Sequence, residues 1–309
     1  MSEGMNEITK NLLSKISSFK GSFSGAFSIR ENGLCVGRVS SDNIKIDSKK
    51  DHPGLDIHIA PGTKGETVYI PACVTKGGID DIVYNDFFVG EGADIIIEAG
   101  CGVHTDSHSE ARHNGIHRFF VGPNARVKYL EKHIGTGDGD GERAIDPMTE
   151  VFLEKGSYLE MDTSQIGGVS KATRKTTGKV AEGAKLVIRE RLFTEKDQTA
   201  DTFFEVELNG EGAGADVVSR SVAKDKSRQT YISTIVGNAP CTGHTECDAI
   251  IDGDAIVDAS PRLYARNKEA SLIHEAAIGK IAGEQILKFR TLGLSEEEAE
   301  KIIIEGFLA

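Results

Sequence analysis

The sequence predicts a mainly β protein: a solenoid of short stacked strands, preceded by a short helix and followed by a helical tail. Three observations lead there. Glycine is abundant, 35 of 309 residues, where a soluble chain usually carries about 7%, so many tight turns must separate short segments. A loose unit recurs, in which a glycine and a small residue precede alternating branched residues. The hydrophobic period turns helical at both ends.

At the N-terminus, Ile8, Leu12, Ile16 and Phe19 are spaced by four, four and three, the stripe of an amphipathic helix. Residues 1–25 are therefore expected to form a helical segment. From Ala26 the pattern alternates. The recurrent unit is clearest at Gly92-Ala93-Asp94-Ile95-Ile96-Ile97, around Ala125 and Ser157, and at Gly183-Ala184-Lys185-Leu186-Val187-Ile188. Looser copies place their small residue at Ala215, Ala255 and Ala270. Most steps are near 31 residues; the step from Ala215 to Ala255 is longer and the last is 15. This fits a flattened coil of about 15 residues, matched every second turn, with an insertion before Ala255. Repeats of this kind stack because no single coil buries its own apolar face. An antiparallel sandwich with hairpins is the alternative reading. The solenoid is expected over 26–273.

After His274 the spacing of Ile278, Ile281, Ala282, Gln285, Ile286, Phe289 and Leu292 reads as helix, stopped by Gly293. Ser295 and Glu298 form a capping box opening a second helix, with Ala299, Ile302, Ile303 and Phe307 as its stripe. This 274–309 segment either docks on the solenoid or binds a partner.

Composition excludes several functions. Apolar content of 39% and charged content of 27% fit a soluble globular chain. A net charge of −12 argues against nucleic acid or an anionic membrane as the main partner. No apolar run approaches the roughly 20 residues of a membrane span, and Met1 to Lys10 is polar, so a cytoplasmic protein is expected. Five cysteines, an odd number, are not a disulfide framework. No nucleotide site is expected: Thr173 stands where a phosphate-binding loop ending in Gly178-Lys179 needs its first glycine. Gly210-x-Gly212-x-x-Ala215 precedes a strand-like run and reads as a turn. A polysaccharide-cleaving β-solenoid would need aromatic platforms, yet the chain has no Trp and 6% aromatic residues.

The candidate chemistry is metal ligation. Cys241, His244, Cys247, His274 and Glu275 fall within 35 residues, a thiolate, imidazole and carboxylate set suited to zinc or to iron–sulfur chemistry and not to calcium or magnesium. Residues three apart on a strand face opposite ways, so a turn at Gly243 is needed to gather Cys241, His244 and Cys247. His274-Glu275 is expected two coils beyond Cys247, about 10 Å along the axis. A second cluster, Cys101, His104, His108, His113 and His117, reads as a histidine-rich loop or a metal site.

Cys247-Asp248-Ala249-Ile250-Ile251, His274-Glu275-Ala276-Ala277-Ile278-Gly279-Lys280-Ile281, Glu284-Gln285, Gly293-Leu294-Ser295 and Gly306-Phe307 together resemble the SufB/SufD family of SUF-system iron–sulfur cluster assembly proteins. The resemblance extends back through about Ala99, and the chain is similar to the compact archaeal SufB-like type. It implies a right-handed parallel β-helix and C-terminal helices that dock the ABC-type ATPase SufC. It further implies a homodimer through the β-helix, and a transient iron–sulfur cluster held at that interface by Cys247, His274 and Glu275 for delivery to apoproteins. Cys241, His244 and Cys101 are secondary candidates. The chain itself is expected not to be an enzyme. A SufD-like partner of SufC that carries no cluster is the alternative. One departure stands out: where SufB chains carry a sulfur-accepting cysteine soon after Tyr-Leu-Glu, here Tyr129-Leu130-Glu131 is followed by Lys132-His133, so His133 stands near that position and Cys241 or Cys101 would have to substitute, or sulfide be used directly.

Overall fold

The computed structural model describes residues 5–309; of the segment expected to be helical, 1–4 lie outside the described residues. In chain order it comprises α1 (Glu7–Ile16), β1 (Ala26–Glu31), β2 (Leu34–Val39), β3 (Ile44–Ser48), β4 (Gly54–Ile59), β5 (Lys64–Val74), β6 (Ile79–Val89), β7 (Asp94–His104), β8 (Ala111–Val121), β9 (Arg126–Thr136) and β10 (Arg143–Ile145). There follow β11 (Met148–Leu153), β12 (Tyr158–Ile166), β13 (Lys171–Val180), β14 (Lys185–Thr194), β15 (Thr199–Leu208), β16 (Ala213–Ala223), β17 (Arg228–Gly237), β18 (Cys241–Ile251), β19 (Ile256–Ala265), β20 (Ser271–Gly279), α2 (Gly283–Thr291) and α3 (Glu296–Phe307).

The strands alternate between two sheets. One runs β2-β1-β5-β7-β9-β12-β14-β16-β18-β20 and the other β19-β17-β15-β13-β10-β8-β6-β4-β3, with β11 also between β13 and β8. Pairing is parallel throughout except at the N-terminal end, where β1–β2 and β3–β4 are antiparallel. This is the expected parallel β-solenoid, with the sandwich excluded.

The coil is longer than the spacing suggested. In-register partners lie about 27 to 32 residues apart, as in Tyr158↔Lys185 and Asp94↔Arg126. One turn therefore holds two strands, and the half-turn carries the 15-residue period. The recurrent unit marks every turn. Ala255 precedes β19 in the opposite sheet, so no insertion precedes it. The true column of small residues leads into Ala213, which pairs with Cys241, and not into Ala215. Small size is required there because these positions are sealed between adjoining coils: Ala93, Ala125 and Ala184 are fully buried.

Alternation sets the core. Along β9, Val127, Tyr129, Glu131 and His133 point inward and are buried, while Arg126, Lys128 and Lys132 are exposed. Identical residues stack in register: Phe87 on Phe119 at 4.6 Å and Phe88 on Phe120 at 5.2 Å between ring centroids, each worth about 0.5–1.5 kcal/mol beyond burial.

Helix α1 is capped by the Asn6 side chain, which accepts from the Thr9 N–H at 2.7 Å. It buries Leu12, Leu13 and Ile16 on the outside of β7. Gly100 and Gly102 make that approach possible: a Cβ on Gly100 would lie 2.5 Å from the Ile16 carbonyl oxygen.

At the C-terminus β20 continues to Gly279, and α2 begins only at Gly283. The helical spacing read from Ile278 is thus corrected: Ala276, Ala277 and Ile278 still pair with β18, because an open parallel edge offers hydrogen bonds that short-range periodicity does not register. The capping box of Ser295 and Glu298 forms as expected. Helix α3 folds back onto the solenoid. Lys224 Nζ reaches Glu300 at 2.6 Å. Ala299 and Leu308 are buried, whereas α2 buries nothing.

Candidate metal centre

The proposed ligands come from two neighbouring strands, β18 and β20. Their register pairs Thr245 with His274, Glu246 with Glu275 and Cys247 with Ala276. His274-Glu275 thus lies one coil beyond Cys247, about 4.8 Å along the axis, and not two. Strand β18 is unbroken; there is no turn at Gly243, whose Cβ position is filled by Leu272 and Ile235. Period-two alternation then decides which way each ligand points. Cys241, Thr245 and Cys247 are buried, while His244 and Glu246 are half-exposed on the outer face.

Within one chain the ligand set therefore divides. Cys247, 1% exposed, is in the core; burial above all, then the charges of Glu190 and Asp248, push its thiol up to about 12. His274 pairs with the inward-pointing Thr245 and is half-buried, with Nδ1 3.2 Å from the Thr245 carbonyl. Glu275 is exposed and lies on the other face, beside Glu246. Cys241 continues the small-residue column below Ala213. Its thiol is raised by burial, and the site reads as packing.

On the outer face the structure gathers His244, Glu246 and Glu275, with one ligand atom from each within 4.8 Å of the others. His244 Nδ1 is 2.8 Å from Asp216 Oδ1, and Nε2 is 3.1 Å from Glu275 Oε2. Asp216 is held in turn by Arg189 Nη2 at 2.5 Å. The hydrogen bond to Asp216 raises the His244 pKa against the opposing effect of burial, with Glu275 adding to it. The Glu246 carboxyl is raised by burial and by neighbouring Asp248. Sequence reading passed over Glu246, although its parity with His244 on the same strand was available.

The 101–117 cluster is not a loop. Cys101 and His104 lie on β7 and His113 and His117 on β8; only His108 sits on the exposed connection, next to Asp140. His113 Nδ1 meets Asp81 Oδ2 at 3.1 Å. His117 Nδ1 meets the Tyr129 hydroxyl at 2.9 Å, and that hydroxyl donates to Glu131 at 2.8 Å. Burial first, then neighbouring positive charges, lowers His117 to about 4, so the ring is neutral.

These contacts open onto a polar seam inside the solenoid. The inward column Glu131, Thr163, Glu190, Ser219, Cys247 runs turn by turn in register. Arg174 Nη1 reaches Glu131 at 2.8 Å and its Nε lies 3.5 Å from Glu190. Glu190 also accepts from Ser219 at 2.7 Å and Thr202 at 3.1 Å. Burial favours protonating Glu131, but the charges of His133 and Arg174 outweigh it and hold the carboxyl well below its ordinary range. Two groups face Glu131, the Arg174 guanidinium and His133 Nε2 at 3.3 Å; burial lowers His133 against the opposing charge of Glu131. His133 is buried and pairs in register with Cys101 one turn away. The Cys101 thiol is raised well above its ordinary value by burial and by Glu131. Inward charged residues in alternating strands were the sequence signal for this seam.

Fold and donors define a class: a parallel β-solenoid with metal-type ligands gathered on its last turns. Residues 86–307 match the family model described as SUF system FeS cluster assembly, SufBD core domain. Three similar archaeal proteins are each described as an iron-sulfur cluster assembly SufBD family protein. One from Methanothermobacter thermautotrophicus is 30% identical over 83% of this chain and 62% of its own length. One from Archaeoglobus fulgidus is 29% identical over 84% and 69%, and one from Pyrococcus horikoshii 30% over 90% and 78%. The chain belongs to the SufBD family; it spans about 62% of the length of the first of these relatives. No helix among the described residues is long and apolar enough to cross a membrane.

Proposed function

We propose that this protein is a cytoplasmic scaffold for iron–sulfur cluster assembly, building a transient cluster at the interface of a homodimer from Cys247, His274 and Glu275. The cluster is cargo, made here and passed to recipient apoproteins. The chain performs no turnover; a SufC-type ATPase docked on α2 and α3 drives opening and closing of the interface. The family match over residues 86–307 carries this reading. The open C-terminal end of the solenoid also supports it. Strands β19 and β20 each end a sheet, and Tyr264 and Ile273 there are 49% and 54% exposed. An unpaired edge of this kind invites strand pairing with a second chain. Leu287 and Leu292, 60% and 75% exposed, suit the ATPase contact.

A buried Cys247 thiol on the face opposite Glu275 favours a second reading, a SufD-like partner of the ATPase that carries no cluster. Anaerobic reconstitution with iron(II) and sulfide, with and without the ATPase, separates the two. A scaffold gains cluster absorbance that Cys247→Ser removes. If the wild-type protein gains none in either condition, or Cys247→Ser gains it equally, the scaffold reading is wrong.

A further inference from the structure

The geometry points to a mononuclear metal site on the outer face of the solenoid, binding a divalent first-row transition ion through His244, Glu246 and Glu275. It goes beyond the proposed function: no thiolate takes part, and it is complete within one chain.

Four observations carry it. The three donor atoms already lie within 4.8 Å of one another, and ligands about 2.0–2.2 Å from one ion need only small side-chain rotations to close on it. His244 is held in the manner of a ligand. Asp216 takes its Nδ1 side at 2.8 Å, which fixes the ring and turns Nε2 toward the two glutamates. A carboxylate behind the imidazole is the usual outer support of a metal-binding histidine, and Arg189 anchors that carboxylate in turn.

The third observation is electrostatic. Glu246 and Glu275 stand directly opposite each other on paired parallel strands, an arrangement that repels. Among the described residues neither makes an ion pair with a lysine or arginine; the one partner is His244, to Glu275. Asp248 adds a further like charge beside Glu246; Arg220, in register with Asp248, bridges neither glutamate, and its charge and that of His244 offset the repulsion only in part. A divalent ion would relieve the repulsion. Lastly, one imidazole with two carboxylates suits zinc, iron(II) or manganese(II) and leaves coordination positions open. Binding would displace the Nε2 proton, since the ligand nitrogen must be unprotonated.

The test uses the full chain stripped of metal with a chelator. Cobalt(II) alone is titrated and followed by visible absorption, and zinc(II) alone by calorimetry. One equivalent should bind, without thiolate-to-cobalt charge-transfer absorption. His244→Gln and Glu246→Gln should each weaken binding at least tenfold, and Asp216→Asn about 10–100-fold, with circular dichroism unchanged. Cys247→Ser should bind as the wild type does. The proposal is overturned if the wild-type chain binds no ion, if the His244 and Glu246 variants bind equally well, or if Cys247→Ser abolishes binding. A failed cluster reconstitution leaves all of these readouts intact, so the two ideas fall separately.

Discussion

Cys247 must be a thiolate to ligate iron, yet in the closed chain it is a buried thiol raised to about 12. At pH 8 roughly one molecule in 10⁴ would carry the thiolate, against about one in four for an ordinary cysteine with a pKa near 8.5. The difference is about 3.5 units, or about 5 kcal/mol of bias toward the neutral form. Alkylation of the reduced, metal-free protein by iodoacetamide should therefore be slower at Cys247 than at an unfolded reference by about three orders of magnitude. Steric burial makes that a lower bound. Peptide mapping by mass spectrometry after anaerobic pulses measures it, with the exposed Cys35 as internal standard and a denatured sample as the unfolded reference. Over pH 7 to 10 the rate should keep rising about tenfold per unit. Labelling of Cys247 within tenfold of Cys35 at pH 8 would refute the reasoning, because the closed solenoid would then already present a reactive sulfur. If the reasoning holds, ligation requires opening of the last turns or expulsion of the proton by the metal itself.

Three further outcomes follow from the structure. Arg174→Met should destabilise the protein by about 3–5 kcal/mol, since it takes the guanidinium from buried Glu131 and leaves only His133 beside it; adding Glu131→Gln should recover most of the loss, and a urea midpoint unchanged by the single substitution would show that the seam is hydrated. His117, buried neutral with its pKa lowered to about 4, contributes stability that is present above its unfolded pKa near 6.5 and lost as pH falls toward 4. That amounts to about 3 kcal/mol, so melting curves at pH 4.5 and 7 should converge in His117→Gln relative to wild type, and equal acid sensitivity in both would count against it. Gly100→Ala, whose new methyl would press on the Ile16 carbonyl at 2.5 Å, should cost about 1–3 kcal/mol and expose α1 to proteolysis; an unchanged digestion pattern would mean the helix simply shifts.

The fold was legible because its signals are local. Alternation along segments such as Arg126–Tyr129 reports strand, the Ser295–Glu298 box reports a helix start, and Leu12 with Ile16 reports an amphipathic helix. The coil length was misread because half-turn and full turn share one period, and only pairing partners tell them apart. The tail was misread over 274–279 because this stretch, Ala-Ala-Ile above all, suits either helix or strand until a neighbouring edge supplies hydrogen bonds.

Of the candidate site, sequence alone determined which donors exist and that they cluster near the C-terminus, because residue chemistry and chain proximity are written residue by residue. Tertiary structure alone decided that Cys247 faces the core, that Glu275 faces outward beside Glu246, and that Asp216 stands behind His244. Those facts depend on the register between strands about 30 residues apart, where a shift of one residue turns every side chain to the other face.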